Sequence, residues 1–234
     1  NNRIPALTLV TYAAEVLLAL EHMHSNHVVY RDLKPENVLV GPSGHLKLAD
    51  MGLAKILDCE NGRTTTICGT DCYLAPEIVR NEPYGMSVDF WLYGCFLFEL
   101  YVGKSPFWEP RNQRQNVHQN ILQGRFQIPR GKLPVPAVHA VAKLLNTDAS
   151  RRLGCEQQSW CAVKSQGYFQ SIDTWDYEKM VKTPITQVTS NHEAAIHNFS
   201  RSFTSLEAKW NDAQNLAIMQ FEHALVGFEY TQKK

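Results

Sequence analysis

Apolar residues recur at helical spacing from residue 6 to residue 24, in "ALTLVTYAAEVLLALEHMH", among good helix formers. A helix is predicted there. A second run from 87 to 102, "SVDFWLYGCFLFELYV", is apolar almost all round, the pattern of a helix buried at the centre of a core. Between the two the period changes: "VLV", "GPSG" and "HLKLA" read as strand, turn and strand. Amphipathic helices are predicted near residues 111 to 122, 134 to 146 and 159 to 166. From Asp50 to Glu77 the chain is rich in Thr, Gly and Cys with little periodicity, and so long a loop in a compact domain is functional or disordered. From about Ile172 the pattern becomes irregular and reads as an extended tail, with room for a helix near residues 205 to 224. The predicted fold class is mainly α with one small β-hairpin.

Composition narrows the function classes. The 234 residues suffice for one large or two modest domains with a real core. Basic and acidic residues balance at 23 each, so net charge points to no nucleic acid and no acidic substrate. No apolar run reaches about 18 residues, so no membrane span is expected. No basic-then-apolar signal segment opens the chain. The six cysteines form no C-x-x-C pair and no zinc spacing, which predicts reduced cytosolic thiols. The nine histidines also lack metal spacing. His22 and His24, two apart on a helix, read as solvated surface.

One polar cluster interrupts the apolar pattern. "VVYRDLKPENVLV", residues 28 to 40, holds Arg31, Asp32, Lys34 and Asn37 within seven positions. A polar surface loop is one reading. The order of the residues fits another, phosphoryl transfer, which uses an Asp to accept a hydroxyl proton and an Asn five residues on to hold a metal. Asp32 and Asn37 have that spacing, and Lys34 is close enough to reach a transferred phosphoryl group. The predicted hairpin then delivers a second carboxylate, Asp50 of "DMG", with Met51 where the D-F-G motif has Phe.

Taken together, the chain resembles the eukaryotic protein kinases. It looks like the large, C-terminal lobe of the AGC group, which includes the cyclic-nucleotide-dependent and the G-protein-coupled-receptor kinases. "YRDLKPEN", with Tyr30 where most kinases carry His, is followed in the family's order by "DMGLAK", "TTTICGT", "YLAPE", "SVDFWLYG" and "RRLG". The resemblance implies a lobe over residues 1–171 and an AGC-type tail over 172–234. It also implies the serine/threonine form of the catalytic loop, ATP and Mg²⁺ as cofactors, and a cytoplasmic location.

The resemblance also assigns roles. Asp32 would be the catalytic base, Lys34 the phosphate contact, and Thr70 a hydrogen-bond partner near both. Asn37 and Asp50 would hold the metal ions, with Glu36 beside them, and Leu39 would lie under the adenine ring. Glu77 would pair with Arg152, and Asp89 would bind backbone amides of the catalytic loop. Glu36, Ile67, Leu74 and Glu99 would face the peptide substrate. Asp71 and Cys72 stand where the family often reads Pro and Glu, which predicts only a moderate preference for basic residues before the Ser or Thr acceptor. Thr66 has the spacing of the activation-loop phosphosite and leaves room for an upstream activating kinase. Arg31 and Lys55 would receive the phosphate, and Thr64 and Thr65 would be simple solvated neighbours.

In the tail, "SIDTWDYEKMVKTPI" and "NFSRSFT" resemble family segments, and Phe199 would cross the nucleotide pocket. "NFS" also matches a glycosylation acceptor. "LVGFEY" resembles the hydrophobic motif, with Leu225 for its first aromatic and Glu229 at the phosphorylation position. No turn-motif phosphosite stands between Thr204 and Gln220. The glycine-rich loop, the V-A-I-K lysine and the helix with its partner Glu are absent. A part of a longer kinase without its small lobe is therefore expected, binding ATP poorly by itself. A kinase-like scaffold that recruits peptides without transferring phosphate is the alternative. The long segment ending in "APE" argues against a small-molecule phosphotransferase.

Overall fold

The computed structural model describes residues 4–59, 61–110, 113–155, 159–182 and 185. Its helices are α1 (Ala6–Ser25), α2 (Pro76–Val79), α3 (Ser87–Val102), α4 (Asn116–Gln123), α5 (Val135–Leu144), α6 (Trp160–Lys164) and α7 (Tyr177–Met180). Four short strands, β1 (Val28–Val29), β2 (Val38–Val40), β3 (Leu46–Leu48) and β4 (Lys55–Ile56), form two separate antiparallel pairs. β2 and β3 are the predicted hairpin, in the register Val38–Leu48 and Val40–Leu46. The pair β1–β4 was not expected, because two-residue strands carry no readable alternation.

The all-round apolar helix lies at the centre. Every residue of α3 from Val88 to Phe98 is buried. α5 lies against α3 at Gly94, where a Cβ would come within 2.8 Å of Leu144 Cβ. The glycine is thus a condition of that close approach. Trp91 stacks on Phe107 at 5.2 Å between ring centroids. Burial of such side chains contributes roughly 1.5–3 kcal/mol each.

α1 packs across α3, where the buried Tyr93 hydroxyl donates to the Ala13 carbonyl at 2.7 Å. By length and hydropathy alone α1 could cross a membrane. Here it is a core helix with a carboxylate inside. Glu15 is buried, accepts the Leu46 amide at 2.7 Å and meets His45 Nδ1 at 2.5 Å. Burial pushes the Glu15 carboxyl up, and the bonds from His45 and Leu46 oppose the rise. This pair fastens the hairpin to α1.

Several expectations are corrected. His24 is buried at the end of α1, not solvated, because it continues the inward stripe of Ala13, Val16, Leu17 and Leu20. The helix predicted from residue 111 begins at Asn116. The segment from Asp50 to Glu77 is partly regular, holding β4 and a 3₁₀ turn at Asp71–Tyr73. Trp175 packs on Phe169 at 5.2 Å, and the Ile185 amide donates to the Ser43 carbonyl on the hairpin turn at 3.0 Å. Phe199, Leu225, Glu229 and the helix near 205 to 224 lie outside the described residues.

Candidate active site

The polar cluster is set on apolar anchors. Val28, Val29, Tyr30 and Leu33 have no exposed surface, so the loop between β1 and β2 is held from beneath. Asp89, fully buried at the start of α3, accepts the Tyr30 amide on Oδ2 and the Arg31 amide on Oδ1, both at 2.8 Å. Arg31 has φ +70°, a left-handed conformation that is costly for a side-chain-bearing residue. The two amide bonds to Asp89 hold it there.

Those anchors bring Asp32, Lys34, Asn37 and Thr70 together. Asp32 Oδ2 accepts Lys34 Nζ at 2.9 Å and Asn37 Nδ2 at 2.8 Å. Asn37 Nδ2 also donates to the Asp32 carbonyl at 2.8 Å. Lys34 Nζ reaches Thr70 Oγ1 at 3.0 Å, and the Thr70 hydroxyl approaches Asp32 Oδ1 at 3.4 Å. Oδ1 is therefore the less engaged oxygen of a buried carboxylate, with capacity left to accept a proton from another hydroxyl.

Asp50 is placed by the hairpin. The Ala49 amide donates to the Asn37 carbonyl at 2.8 Å, and the Tyr30 hydroxyl donates to the Ala49 carbonyl. Burial, then the charges of Asp32, Asp50 and Asp89, push the Tyr30 phenol far above its ordinary value, so it stays a donor. Asp50 itself is exposed, has φ +54°, and accepts the Gly52 amide at 3.0 Å. Leu39, at 40 % exposure, and Val40 present apolar surface on the same hairpin.

Among the described residues no group of three or more His, Cys, Asp and Glu could hold a metal ion. The donors that Asn37 and Asp50 offer are hard oxygens, with the Asn37 amide nitrogen already committed to Asp32. Few protein oxygens, with phosphate oxygens completing the shell, suit Mg²⁺. The residues fit the expected ion on those terms.

The segment after β4 is ordered by a strand-like bridge. Thr64 and Tyr84 exchange both backbone hydrogen bonds, at 2.8 and 2.9 Å. Thr64 is buried, contrary to the expectation of a solvated neighbour, and its hydroxyl takes Lys55 Nζ at 2.9 Å and lies 3.3 Å from Thr66 Oγ1. Thr66 and Ile67 are exposed. Gly69, at φ +111°, turns the chain against the Arg31 carbonyl. Leu74 is 7 % exposed. Glu36 is exposed, and Glu99 accepts the Tyr73 hydroxyl. Burial, then the charge of Glu36, pushes the Glu99 carboxyl up, while the Tyr73 bond opposes the rise.

The expected Glu77–Arg152 pair is present and bidentate. Arg152 Nη1 and Nη2 donate to the two Glu77 oxygens at 2.8 Å each. Arg152 has no exposed surface and also bonds the Asn146 and Ser87 carbonyls. Burial alone would push the Glu77 carboxyl up, but the hydrogen bonds and charge of Arg152 hold it below its ordinary value.

Sequence reasoning missed Tyr84, His24 with Trp160, and Glu15 with His45. A lone carboxylate inside the apolar stripe of α1 was the available signal for Glu15, and the phase of that stripe was the signal for His24. Nothing in the sequence flagged Tyr84, whose partners come from a non-periodic segment.

Residues 1–169 match the protein kinase domain model. The chain is 38% identical to protein kinase C zeta type of Oryctolagus cuniculus over 227 residues, 94% of this chain and 38% of that protein. It is 38% identical to serine/threonine-protein kinase sck1 of Schizosaccharomyces pombe over 212 residues, 89% of this chain and 30% of that protein. It is 40% identical to the cAMP-dependent protein kinase catalytic subunit PRKX of Homo sapiens over 187 residues, 79% of this chain and 50% of that protein. The chain thus spans half or less of the length of these relatives. Its motifs, its geometry and this match agree: the chain belongs to the protein kinase family, in its AGC group.

Proposed function

We propose that the protein carrying this chain is a serine/threonine protein kinase that transfers the terminal phosphate of ATP to protein hydroxyls. The observation that carries the reading is the set of Asp32, Lys34, Asn37 and Thr70, with Asp32 and Asn37 buried, joined by hydrogen bonds of 2.8–3.4 Å. A scaffold that only recruits peptides needs none of these groups in this arrangement.

In this reading residues 1–171 are the large lobe and 172–234 the AGC-type tail. Asp32 Oδ1 accepts the proton of the acceptor hydroxyl. Lys34 neutralises charge on the transferred phosphoryl oxygens, and Thr70 holds the Lys34 ammonium beside Asp32. Asn37 and Asp50 would hold Mg²⁺, which neutralises phosphate charge when bound. Leu39 offers an apolar surface to the adenine ring, and Glu36 is assigned to the nucleotide site. Glu36 and Glu99 favour basic residues ahead of the acceptor, and Ile67 offers an exposed apolar contact. Thr66 is the phosphosite, served by an upstream kinase. The free thiols suit a reducing compartment, and we assign the cytoplasm.

The test is phosphate transfer from ATP to a serine or threonine peptide by the whole protein, compared with Asp32→Asn. Transfer that survives the substitution, or peptide binding without any transfer, would overturn the reading.

A further inference from the structure

Outside the transfer site, one buried histidine is held at both ring nitrogens. His24 Nε2 lies 2.8 Å from Asp89 Oδ2, and the indole N–H of Trp160 donates to His24 Nδ1 at 3.0 Å across 136 residues of sequence. An indole N–H can only donate. Nδ1 must therefore accept, and the single ring proton sits on Nε2, facing Asp89. With the proton on Nδ1 instead, an unprotonated nitrogen would face a carboxylate oxygen in a fully buried place, at the cost of an unmade bond.

The same Asp89 carboxylate accepts the Tyr30 and Arg31 amides, and Arg31 stands in its left-handed conformation directly before Asp32. The chain of bonds thus runs from α6, through the end of α1 and the start of α3, into the loop that carries the candidate base. We propose that Trp160 is a positioning residue for that loop. Its indole N–H fixes His24 as the Nε2–H tautomer, and that tautomer holds Asp89 in the orientation that fixes Tyr30 and Arg31. The inference rests on the kinase reading of the site, but its first link does not.

Packing and hydrogen bonding are separable at Trp160. The ring packs on Phe90 at 4.2 Å and edge-on to Tyr93 at 5.5 Å, contacts that a phenyl ring largely keeps. The ring also lies 5.3 Å from the His24 ring, a contact that a phenyl ring can keep in part, and only the N–H bonds Nδ1.

The experiment uses the whole protein with ¹⁵N-labelled histidine, as the unaltered protein and as Trp160→Phe. The unaltered protein is expected to show His24 with an unprotonated Nδ1 and a protonated Nε2. In Trp160→Phe the Nδ1 resonance shifts, because that nitrogen has lost the donor it accepts from. Turnover falls by about tenfold while the KM values for ATP and peptide stay within about twofold. If Trp160→Phe does not fold, β-(3-benzothienyl)alanine at position 160, which keeps the shape and lacks the N–H, replaces it. An Nδ1–H tautomer in the unaltered protein, or an unchanged Nδ1 resonance and turnover in the variant, would overturn the proposal. A protein that transfers no phosphate overturns the kinase reading alone, and the nitrogen shifts still decide the link between Trp160 and His24.

Discussion

Arg31 is joined to Thr66 through Tyr84: Arg31 Nη1 donates to the Tyr84 hydroxyl at 3.2 Å, and that hydroxyl donates to the Thr66 carbonyl. Arg31 Nε is already committed to the Leu53 carbonyl. The segment around Thr66 is thus tied, without a phosphate, to the loop that carries Asp32. Tyr84→Phe in the unphosphorylated protein should raise amide exchange across residues 64 to 70 by up to about tenfold, the loss of one or two hydrogen bonds. A phosphate on Thr66, with a charge of about −1.5 to −2, should restore protection by drawing Arg31 and Lys55 directly. If it acts through Arg31, the activity losses of Thr66→Ala and Arg31→Ala overlap, and the double variant is little worse than the more damaged single one. Fully additive losses would refute that route.

Asp32→Asn and Asp50→Asn should nearly abolish peptide phosphorylation by the whole protein and leave its thermal midpoint close to that of the native form. On the proposed roles, the first removes the acceptor for the hydroxyl proton and the second a charged metal ligand. Retention of more than about a tenth of the activity, a loss under about 1.4 kcal/mol, would show that the roles are misassigned.

Glu77 and Arg152 should matter to the fold and not to the chemistry. Removal of either partner, as in Arg152→Met, leaves a buried charge uncompensated and should cost about 3–5 kcal/mol by denaturant unfolding. The Glu77 carboxyl sits below its ordinary value, so its contribution is present above the unfolded value of about 4.3 and is lost as pH falls through the lowered folded value. The stability gap between the native protein and Glu77→Gln should therefore narrow below about pH 4. A gap that widens in acid would contradict this pair's role.

On the proposed reading, Glu99 should give substrate choice a dependence on pH. Its carboxyl is pushed up by burial and by Glu36, so it loses its charge at a higher pH than an ordinary glutamate. A peptide with arginine ahead of the acceptor should be preferred at neutral pH, and the preference should shrink on acidification. Glu99→Gln should remove most of that pH dependence. Competition between arginine-containing and arginine-free peptides across pH measures it, and a preference for acidic residues would refute the assignment.

The long elements were legible because their burial is periodic. α1 and α3 follow directly from the stripe of Leu9 to Leu20 and from the unbroken run of Val88 to Phe98. The site was legible in part because Asp32, Lys34 and Asn37 lie close in sequence. Thr70 joins them from 36 to 38 residues away, and only the resemblance placed it. Tyr84, Trp160 and His45 were not legible as site residues. Each acts through isolated long-range hydrogen bonds, and such contacts leave no period in the sequence.

The left-handed backbone at Asp50 sets two selective pressures against each other. Its side chain makes one local bond, to the Gly52 amide, while its φ of +54° is a conformation that glycine adopts without strain. Strain of this kind amounts to roughly 1–3 kcal/mol. Selection for thermal endurance alone would therefore drift toward glycine at position 50, giving a sturdier protein stripped of the carboxylate proposed to hold the metal. At this position durability and competence are opposed by the backbone itself.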